Sequence, residues 1–242
     1  MAYTLKLNIA NRSNFGSMRA TTAIKYIVIH YTANDGDTDE SNAKYFKNNI
    51  VKASAHYFVD DDSVTQSVYD NYIAYSVGGN KYSNTGITGG GKYYGKCTNR
   101  NSISIELCDD VRNGVIYPSA KTIDNAIELT KKLMIKYNIP ASNVIRHFDV
   151  TGKACPAYWS GSATKDAKWK SEFFNKLTPA TDESFKVRVT IKDLNIRKGP
   201  GTSYSIAGVM APGVYTIVEV NCSWGKLKSG AGWIHLNYVE RV

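Results

Sequence analysis

Apolar residues occur in short runs, separated by polar turns, through the first part of the chain. Residues 23–31 form an almost wholly apolar and β-branched run, which predicts a strand buried on both faces. Residues 54–59 and 64–69 are two further apolar runs, and the turn at 60–63 between them predicts a β-hairpin. Residues 1–20 are polar, and their pattern predicts irregular structure.

The hairpin turn contains three consecutive aspartates, which raises the question of a calcium loop. The stretch lacks the glycine and the distal glutamate of an EF-hand. We therefore predict a solvated turn at this position.

Residues 101–107 alternate strictly between apolar and polar side chains, as in a strand with two unlike faces. Ser102, Ser104 and Glu106 share the polar face. This pattern leaves two interpretations of Glu106 open. It is either a solvent-facing residue on a sheet edge or a carboxylate held in the floor of a cleft.

Helical spacing is clearest in residues 119–137, where Ser119 is a favourable N-cap and the sequence Asn-Ile-Pro follows the last turn. Shorter helices are predicted over residues 39–49 and 165–176, with Trp169, Phe173 and Leu177 as the buried stripe of the second. A short strand is predicted at residues 144–147. Strands interspersed with helices predict an α/β fold.

The periodicity changes towards the end of the chain. Residues 179–185 have the composition of a linker, and residues 186–242 contain short β-rich runs separated by Gly/Pro turns. This pattern predicts a small all-β barrel. We therefore predict two domains, residues 1–178 and 186–242.

A long loop rich in glycine and tyrosine is predicted at residues 75–96, and such a loop is more often a binding element than a linker. Residues 86–92 match the spacing G-x-x-x-x-G-K. A nucleotide-binding P-loop requires Ser or Thr next, but Tyr93 follows, and both flanks are loop-like. We therefore reject nucleotide binding.

The net charge of the 242 residues is +9, spread along the chain without a block of like charges. This charge is compatible with an anionic partner and equally with an ordinary solvated surface. No motif for nucleic-acid recognition accompanies it. No apolar run is long enough for stable membrane insertion, and residues 1–14 lack the apolar core of a signal peptide. We therefore expect synthesis in the host cytoplasm.

Residues 146–156 concentrate candidate chemistry, with His147, Lys153 and Cys155 in one short stretch. Imidazole nitrogen and thiolate sulfur are good zinc donors, although His147 and Cys155 share a site only if the chain folds back between them. His30, at the end of the first buried strand, is either a core histidine or a third ligand. Three protein ligands with an open fourth position are typical of catalytic zinc.

Hydrolysis of an amide also needs a base and a group that stabilises the tetrahedral oxyanion. Glu106 is the best-placed carboxylate for the first role. Lys153, two residues before Cys155, is a candidate for the second. The other cysteines form no C-x-x-C pair, so we predict no structural disulfide and read Cys97, Cys108 and Cys222 as small buried or partly exposed residues.

Four stretches occur in the order found in zinc-dependent N-acetylmuramoyl-L-alanine amidases, the group related to T7-type lysozyme and to peptidoglycan recognition proteins. They are YIVIHYT at residues 26–32, SAHY at 54–57, SIEL at 104–107 and RHFDVTGKACP at 146–156. The resemblance covers about residues 1–178. It implies a central mixed β-sheet flanked by helices and cleavage of the bond between the lactyl group of muramic acid and L-alanine.

By position, the resemblance implies that His30, His147 and Cys155 bind one catalytic Zn2+. It implies Glu106 as general base and Lys153 as the residue on the oxyanion side. His56 and Tyr57 lie in a motif of the family, but we assign neither a catalytic role.

Residues 186–242 resemble bacterial SH3-like wall-binding domains through LNIRKGPG at residues 194–201 and GWI at 232–234. An amidase followed by such a domain resembles a phage or prophage endolysin of a Gram-positive host. The expected partners are peptidoglycan and anionic wall polymers, reached after a separate protein has permeabilised the membrane.

Three other functions compete with this interpretation. Cys155 is the candidate nucleophile of a cysteine peptidase that cleaves the peptidoglycan stem, but Glu106 and Lys153 would then have no role. A non-catalytic peptidoglycan-binding protein is the second alternative, and the complete set of candidate ligands argues against it. A nucleic-acid binder is suggested by charge alone.

Overall fold

The computed structural model describes residues 3–82, 89–177, 184–221 and 223–242. In the N-terminal part of the chain, the described strands are β1 (Thr4–Leu7), β2 (Phe15–Met18), β3 (Tyr26–Tyr31), β4 (Tyr57–Val59), β5 (Ser63–Gln66), β6 (Tyr72–Ala74), β7 (Ser102–Leu107) and β8 (Val144–Arg146). The α-helices are α1 (Asp39–Asn48), α2 (Ala120–Tyr137), α3 (His147–Thr151) and α4 (Ala163–Glu172).

Six of these strands form one sheet in the order β1-β5-β4-β7-β3-β8, while β2 and β6 pair separately. The strand β7 runs parallel to β3 and β4, β8 runs parallel to β3, and β5 runs antiparallel to β4. The predicted mixed sheet is therefore confirmed. Its central strands end together at one edge, which is where ligands bind in open α/β sheets.

The expectation of irregular structure in residues 1–20 is wrong, because β1 and β2 lie there. The strand β1 is at the edge of the six-stranded sheet, and both of its leucines, Leu5 and Leu7, are more than half exposed. An edge strand that buries no apolar face lacks the hydrophobic pattern from which strands are predicted.

The predicted helices are confirmed with small shifts at their ends. Ser119 accepts a hydrogen bond from the Thr122 amide as the N-cap of α2, and Asn138 ends this helix in the left-handed conformation. α2 buries one face against the apolar side of β7. α4 ends at Glu172, earlier than predicted, and a turn of 3-10 helix follows. The predicted stripe is buried, and it comprises Trp169, Phe173 and Leu177.

The C-terminal part forms an all-β sheet with its own core. Its strands are β9 (Phe185–Val189), β10 (Leu194–Arg197), β11 (Ile206–Met210), β12 (Gly213–Asn221), β13 (Trp224–Leu227), β14 (Trp233–His235) and β15 (Val239–Arg241), in the order β11-β10-β14-β13-β12-β9-β15. Neighbouring strands pair antiparallel. The predicted β-rich runs are confirmed and β15 is additional, while an SH3-like barrel and the domain boundaries stay predictions.

Candidate active site

His30 and His147 meet because two parallel strands end side by side. His30 is the fifth residue of β3, and His147 begins α3 directly after β8, whose partner is β3. The ring centroids of the two histidines are 4.7 Å apart. The short strand predicted at residues 144–147 ends one residue earlier, so α3 rather than β8 carries His147.

The chain folds back after α3 and brings Cys155 to the two histidines. α3 ends at Thr151, and Gly152 after it has a φ of 84°, in the left-handed region that glycine tolerates. The backbone amide of Phe148 donates to the carbonyl of Cys155 at 2.9 Å. Cys155 Sγ then lies 3.8 Å from His30 Nδ1. The loop that the sequence requires between His147 and Cys155 is therefore present.

A buried arginine holds the fold-back in place. The Arg146 guanidinium is 97% buried and forms an ion pair with Asp149 at 2.7 Å. It also pairs with Asp166 of α4 at 3.0 Å and donates to the carbonyl of Trp159. A guanidinium that binds several partners in one plane fixes their relative positions and also stabilises the fold. Sequence reasoning missed this role, although the spacing Arg-x-x-Asp that encloses His147 is a signal for such an ion pair.

The donor set fits a metal ion. One donor atom from each of His30, His147 and Cys155 lies within 4.8 Å of the others. The Nε2 atoms of both histidines are buried and have no hydrogen-bond partner among the described residues. Buried polar atoms without partners are rare and need a physical reason. Two nitrogens and one sulfur are donors that Zn2+ favours.

Burial sets the charge of these candidate ligands. It lowers the pKa of His147 to about 4, with the charge of Lys153 acting in the same direction. Burial, with a smaller contribution from His147, also holds the pKa of His30 well below its usual range. Both imidazoles are therefore neutral at pH 7, with a lone pair available for coordination. Burial raises the pKa of the Cys155 thiol far above its ordinary value, so a thiolate there requires a neighbouring cation.

Glu106 lies on the central strand next to His30. β7 pairs in parallel with β3, and the register places Glu106 opposite His30. Its Oε1 is 3.8 Å from His30 Nδ1, and its side chain is 19% exposed. Because β7 has a partner on each side, the edge interpretation is wrong and Glu106 lies in the floor of a cleft. Burial raises the pKa of Glu106 to about 8, and the positive charge of Lys153 opposes that rise.

Lys153 lines the same cleft as Glu106, as the sequence predicts. The cleft has a volume of about 1090 Å³ and is open to solvent along one side. Its other walls come from residues 31–37, from α1 and from Arg112. The five predicted site residues therefore converge on one edge of the sheet, with the candidate ligands buried and the candidate base and cation facing the cleft.

His56 has a structural environment. It is 1% exposed, and its Nδ1 lies 3.1 Å from the backbone amide of Ser104, which donates to it. Its Nε2 lies 3.1 Å from the carbonyl oxygen of Tyr72 and 3.0 Å from the Arg19 guanidinium. With both ring nitrogens engaged, His56 supports β4 and β7. This agrees with leaving His56 out of the catalytic set.

The triple aspartate at residues 60–62 is only partly the solvated turn that the sequence predicts. Asp60 is 4% exposed, and its carboxylate accepts hydrogen bonds from the backbone amides of Asp39, Asp62 and Ser63. A carboxylate that satisfies three amides inside a turn acts as a local cap. The interpretation of a solvated turn is wrong for Asp60.

The described part of the glycine- and tyrosine-rich loop packs on the site. The backbone amides of Tyr82, Gly91 and Tyr93 donate to carbonyls of α3 at 2.8–3.0 Å. A Cβ at Gly90 would lie 2.6 Å from the ring of Phe148, so only glycine fits there. The loop therefore supports α3 from outside. Residues 83–88, where part of the loop prediction falls, lie outside the described residues.

Two of the remaining cysteines are buried, as the sequence predicts. Cys97 and Cys108 are buried free thiols, and burial raises the pKa of both. Cys222 lies outside the described residues.

Known proteins resemble this chain over the region that contains the site. The family described as N-acetylmuramoyl-L-alanine amidase matches residues 20–158, which include all five predicted site residues. The N-acetylmuramoyl-L-alanine amidase CwlL of Bacillus licheniformis is 29% identical over 193 residues, or 74% of this chain and 50% of that protein. CwlA of Bacillus subtilis (strain 168), also an N-acetylmuramoyl-L-alanine amidase, is 32% identical over 158 residues, or 64% of this chain and 52% of that protein.

Solved structures agree with the sequence comparisons. A mutant endolysin from Bacillus subtilis superimposes with a TM-score of 0.54 at 28% identity, covering 72% of this chain and 99% of that one. The catalytic domain of XlyA gives a TM-score of 0.54 at 27% identity and the same coverage. The chain spans about half the length, or less, of the curated relatives it matches first.

Proposed function

This chain belongs to the N-acetylmuramoyl-L-alanine amidase family, and we propose that it hydrolyses the amide bond between the lactyl group of N-acetylmuramic acid and L-alanine in peptidoglycan. One observation carries the proposal. His30, His147 and Cys155 converge beside Glu106, and Glu106 and Lys153 both line the adjoining cleft. This combination supplies the groups that amide hydrolysis needs.

We propose that His30, His147 and Cys155 hold one zinc ion. When bound, zinc supplies a Lewis acid that polarises a carbonyl and lowers the pKa of water towards about 7. The neutral imidazoles and the buried sulfur described above are the features of this chain that support the assignment. A cation among them would also favour the ionised form of Glu106, since opposite charges lower the pKa of a carboxyl group.

Glu106 is proposed as the general base. It takes a proton from the attacking water and later gives it to the leaving amino group of L-alanine. Its partial burial supports this role, because a carboxyl group with a raised pKa binds a proton more strongly than a fully solvated one. Lys153 is proposed to stabilise the negative charge that develops on the carbonyl oxygen.

Replacing Lys153 tests both its charge and its coupling to Glu106. Lys153→Met is expected to lower kcat/KM by roughly 10²-fold, a typical effect of losing an oxyanion-stabilising group. The charge of Lys153 lowers the pKa of Glu106, so its removal raises that pKa. The base is active when deprotonated, so the acidic limb of the profile of kcat/KM against pH moves to higher pH. Lys153→Arg keeps the charge and should leave that limb near its original position. An unchanged limb in Lys153→Met would contradict the coupling.

A cysteine peptidase is the strongest alternative, and the environment of Cys155 disfavours it. A nucleophilic thiolate requires a depressed pKa, whereas burial raises the pKa of this thiol. Cys155 is also only 3% exposed, which leaves its sulfur little access to a substrate carbonyl. The peptidase would also leave Glu106 and Lys153 without a function.

We further propose endolysin-type action on the wall of a Gram-positive host. An endolysin from Bacillus subtilis is among the structural neighbours. In this proposal, the C-terminal sheet is an SH3-like wall-binding domain, and the net charge of +9 assists attraction to anionic wall polymers. Among the residues that the structure describes, no helix is long and apolar enough to cross a membrane.

Analysis of wall digests tests the reaction class. The amidase releases new amino termini on L-alanine and creates no new reducing sugar. New reducing ends would indicate a glycosidase, and new amino termini on other stem residues would indicate a peptidase. The cysteine-peptidase alternative is tested by removing the metal and then alkylating thiols. A cysteine peptidase would stay active without metal and lose its activity on alkylation.

A further inference from the structure

The loop after β3 holds the loop after β7 through two carboxylates. Asp35 accepts hydrogen bonds from the backbone amides of Asn113 at 3.0 Å and Gly114 at 3.1 Å. Asp37 accepts one from the amide of Asp109 at 2.9 Å. Hydrogen bonds between a carboxylate and backbone amides are among the stronger ones in proteins. They bring together two loops that lie more than 70 residues apart in sequence.

Gly36, between these two aspartates, allows the loops to touch. Its φ is +68°, and a Cβ at this position would lie 2.7 Å from Cβ of Arg112 and 3.1 Å from the Arg112 backbone. A side chain at position 36 would therefore strain its own backbone and displace Arg112. The two aspartates and this glycine together fix where Arg112 enters the cleft wall.

Arg112 faces the same cleft as Glu106 and Lys153. Its side chain has no ion pair or hydrogen bond within the part of the chain that the structure describes, and Arg112 is exposed to solvent. The nearby carboxylates of Asp35 and Asp37 are already bound to backbone amides. The wall of the cleft therefore presents a guanidinium group that is free to bind a ligand.

We infer that Arg112 binds a free carboxylate on the second residue of the peptide stem, the residue after L-alanine, and so sets a preference among stems. This inference rests on the proposed function, since it concerns the substrate of the same cleft. A guanidinium presents two parallel N–H groups that match a carboxylate, whereas a carboxamide at the same position offers a neutral oxygen and a competing NH₂ group. A stem with a carboxylate is therefore bound in preference to its amidated counterpart.

Arg112 acts on binding rather than on bond cleavage. The carboxylate that it contacts does not change charge during the reaction, so the contact stabilises ground state and transition state alike. Its loss raises KM and leaves kcat nearly constant. This distinguishes Arg112 from Glu106 and Lys153, whose replacement lowers kcat.

The test compares two synthetic muramoyl peptides that differ only in a carboxylate or a carboxamide on the second stem residue. For the unaltered protein, kcat/KM is expected to be roughly ten-fold higher for the carboxylate substrate, the size of a charge-assisted hydrogen bond at a partly exposed site. Arg112→Gln is expected to bring the ratio of the two kcat/KM values close to one, because KM for the carboxylate substrate rises while kcat stays nearly constant. Arg112→Lys should retain part of the preference.

Two further variants separate recognition by Arg112 from a general effect of charge or structure. Arg100→Gln removes the same charge from an exposed position at the other end of β7 and should leave the ratio unchanged. Gly36→Ala keeps the charge but displaces Arg112, so it should reduce the ratio as well.

A ratio near one in the unaltered protein, or a ratio that Arg112→Gln leaves unchanged, would overturn the inference. If both substrates are hydrolysed in either of these cases, the proposed function stands and only the role of Arg112 is lost. Absence of hydrolysis of either substrate would overturn the proposed function and this inference with it.

Discussion

Cys155→Ser is expected to lose bound zinc and hydrolytic activity together. A serine hydroxyl stays protonated at neutral pH and is a poor zinc ligand, so only His30 and His147 would remain. We expect zinc content to fall from about one ion per chain to a small fraction of that value. We also expect kcat/KM to fall by about 10³-fold or more, since both the Lewis acid and the activated water are lost. Metal analysis and wall-digestion rates on the same purified sample measure both effects.

Cys97→Ser is the matched control, because it makes the same chemical change at another buried thiol. Cys97 is 2% exposed and packs in a small cluster with Val28, Val77, Ile145 and Val150. This variant should keep zinc and activity while losing some stability, since a hydroxyl is buried among apolar side chains. Full zinc occupancy in Cys155→Ser would remove Cys155 from the ligand set.

Glu106→Gln is expected to keep zinc and lose rate. The amide has nearly the shape of the carboxylate but cannot accept a proton from water, so the ligands stay in place while the base is absent. General-base catalysis contributes about 10²–10⁴-fold, and the expected fall is in kcat rather than in KM. Rates of wall digestion together with zinc content give the two readouts.

Glu128→Gln provides the control for Glu106→Gln. Glu128 lies on α2 in an exposed ion pair with Lys132, where loss of one charge has a small effect on stability and none is expected on catalysis. Near-normal turnover in Glu106→Gln would remove Glu106 as the base. Loss of zinc in that variant would instead mean that Glu106 supports the metal site directly.

Elements with a strong hydrophobic period were predictable from sequence. The strand β3 is almost wholly apolar because side chains on both of its faces are buried, and α2 carries a regular buried stripe. The edge strands β1 and β15 were not predictable from the pattern. Their side chains are exposed or only partly buried, so neither strand has a buried apolar face that would distinguish it in the sequence.

The residue types of the candidate site were predictable, while their arrangement depends on pairings between distant segments. His30 and Glu106 are neighbours because β3 and β7 pair in a particular parallel register, and a shift by one residue would turn Glu106 to the other face. The contact of Asp35 with Gly114 depends on both loops being in place. No local pattern encodes either pairing, which is why Arg112 escaped notice in the sequence.

The central claim is tested most directly by digesting purified peptidoglycan with protein that has been stripped of metal by a chelator and then given zinc back. We expect the stripped protein to be inactive. We expect activity to return in step with zinc up to about one ion per chain, with new amino termini on L-alanine and no new reducing sugar. Activity that survives without metal and is abolished by thiol alkylation would contradict the account and assign the site to a cysteine peptidase.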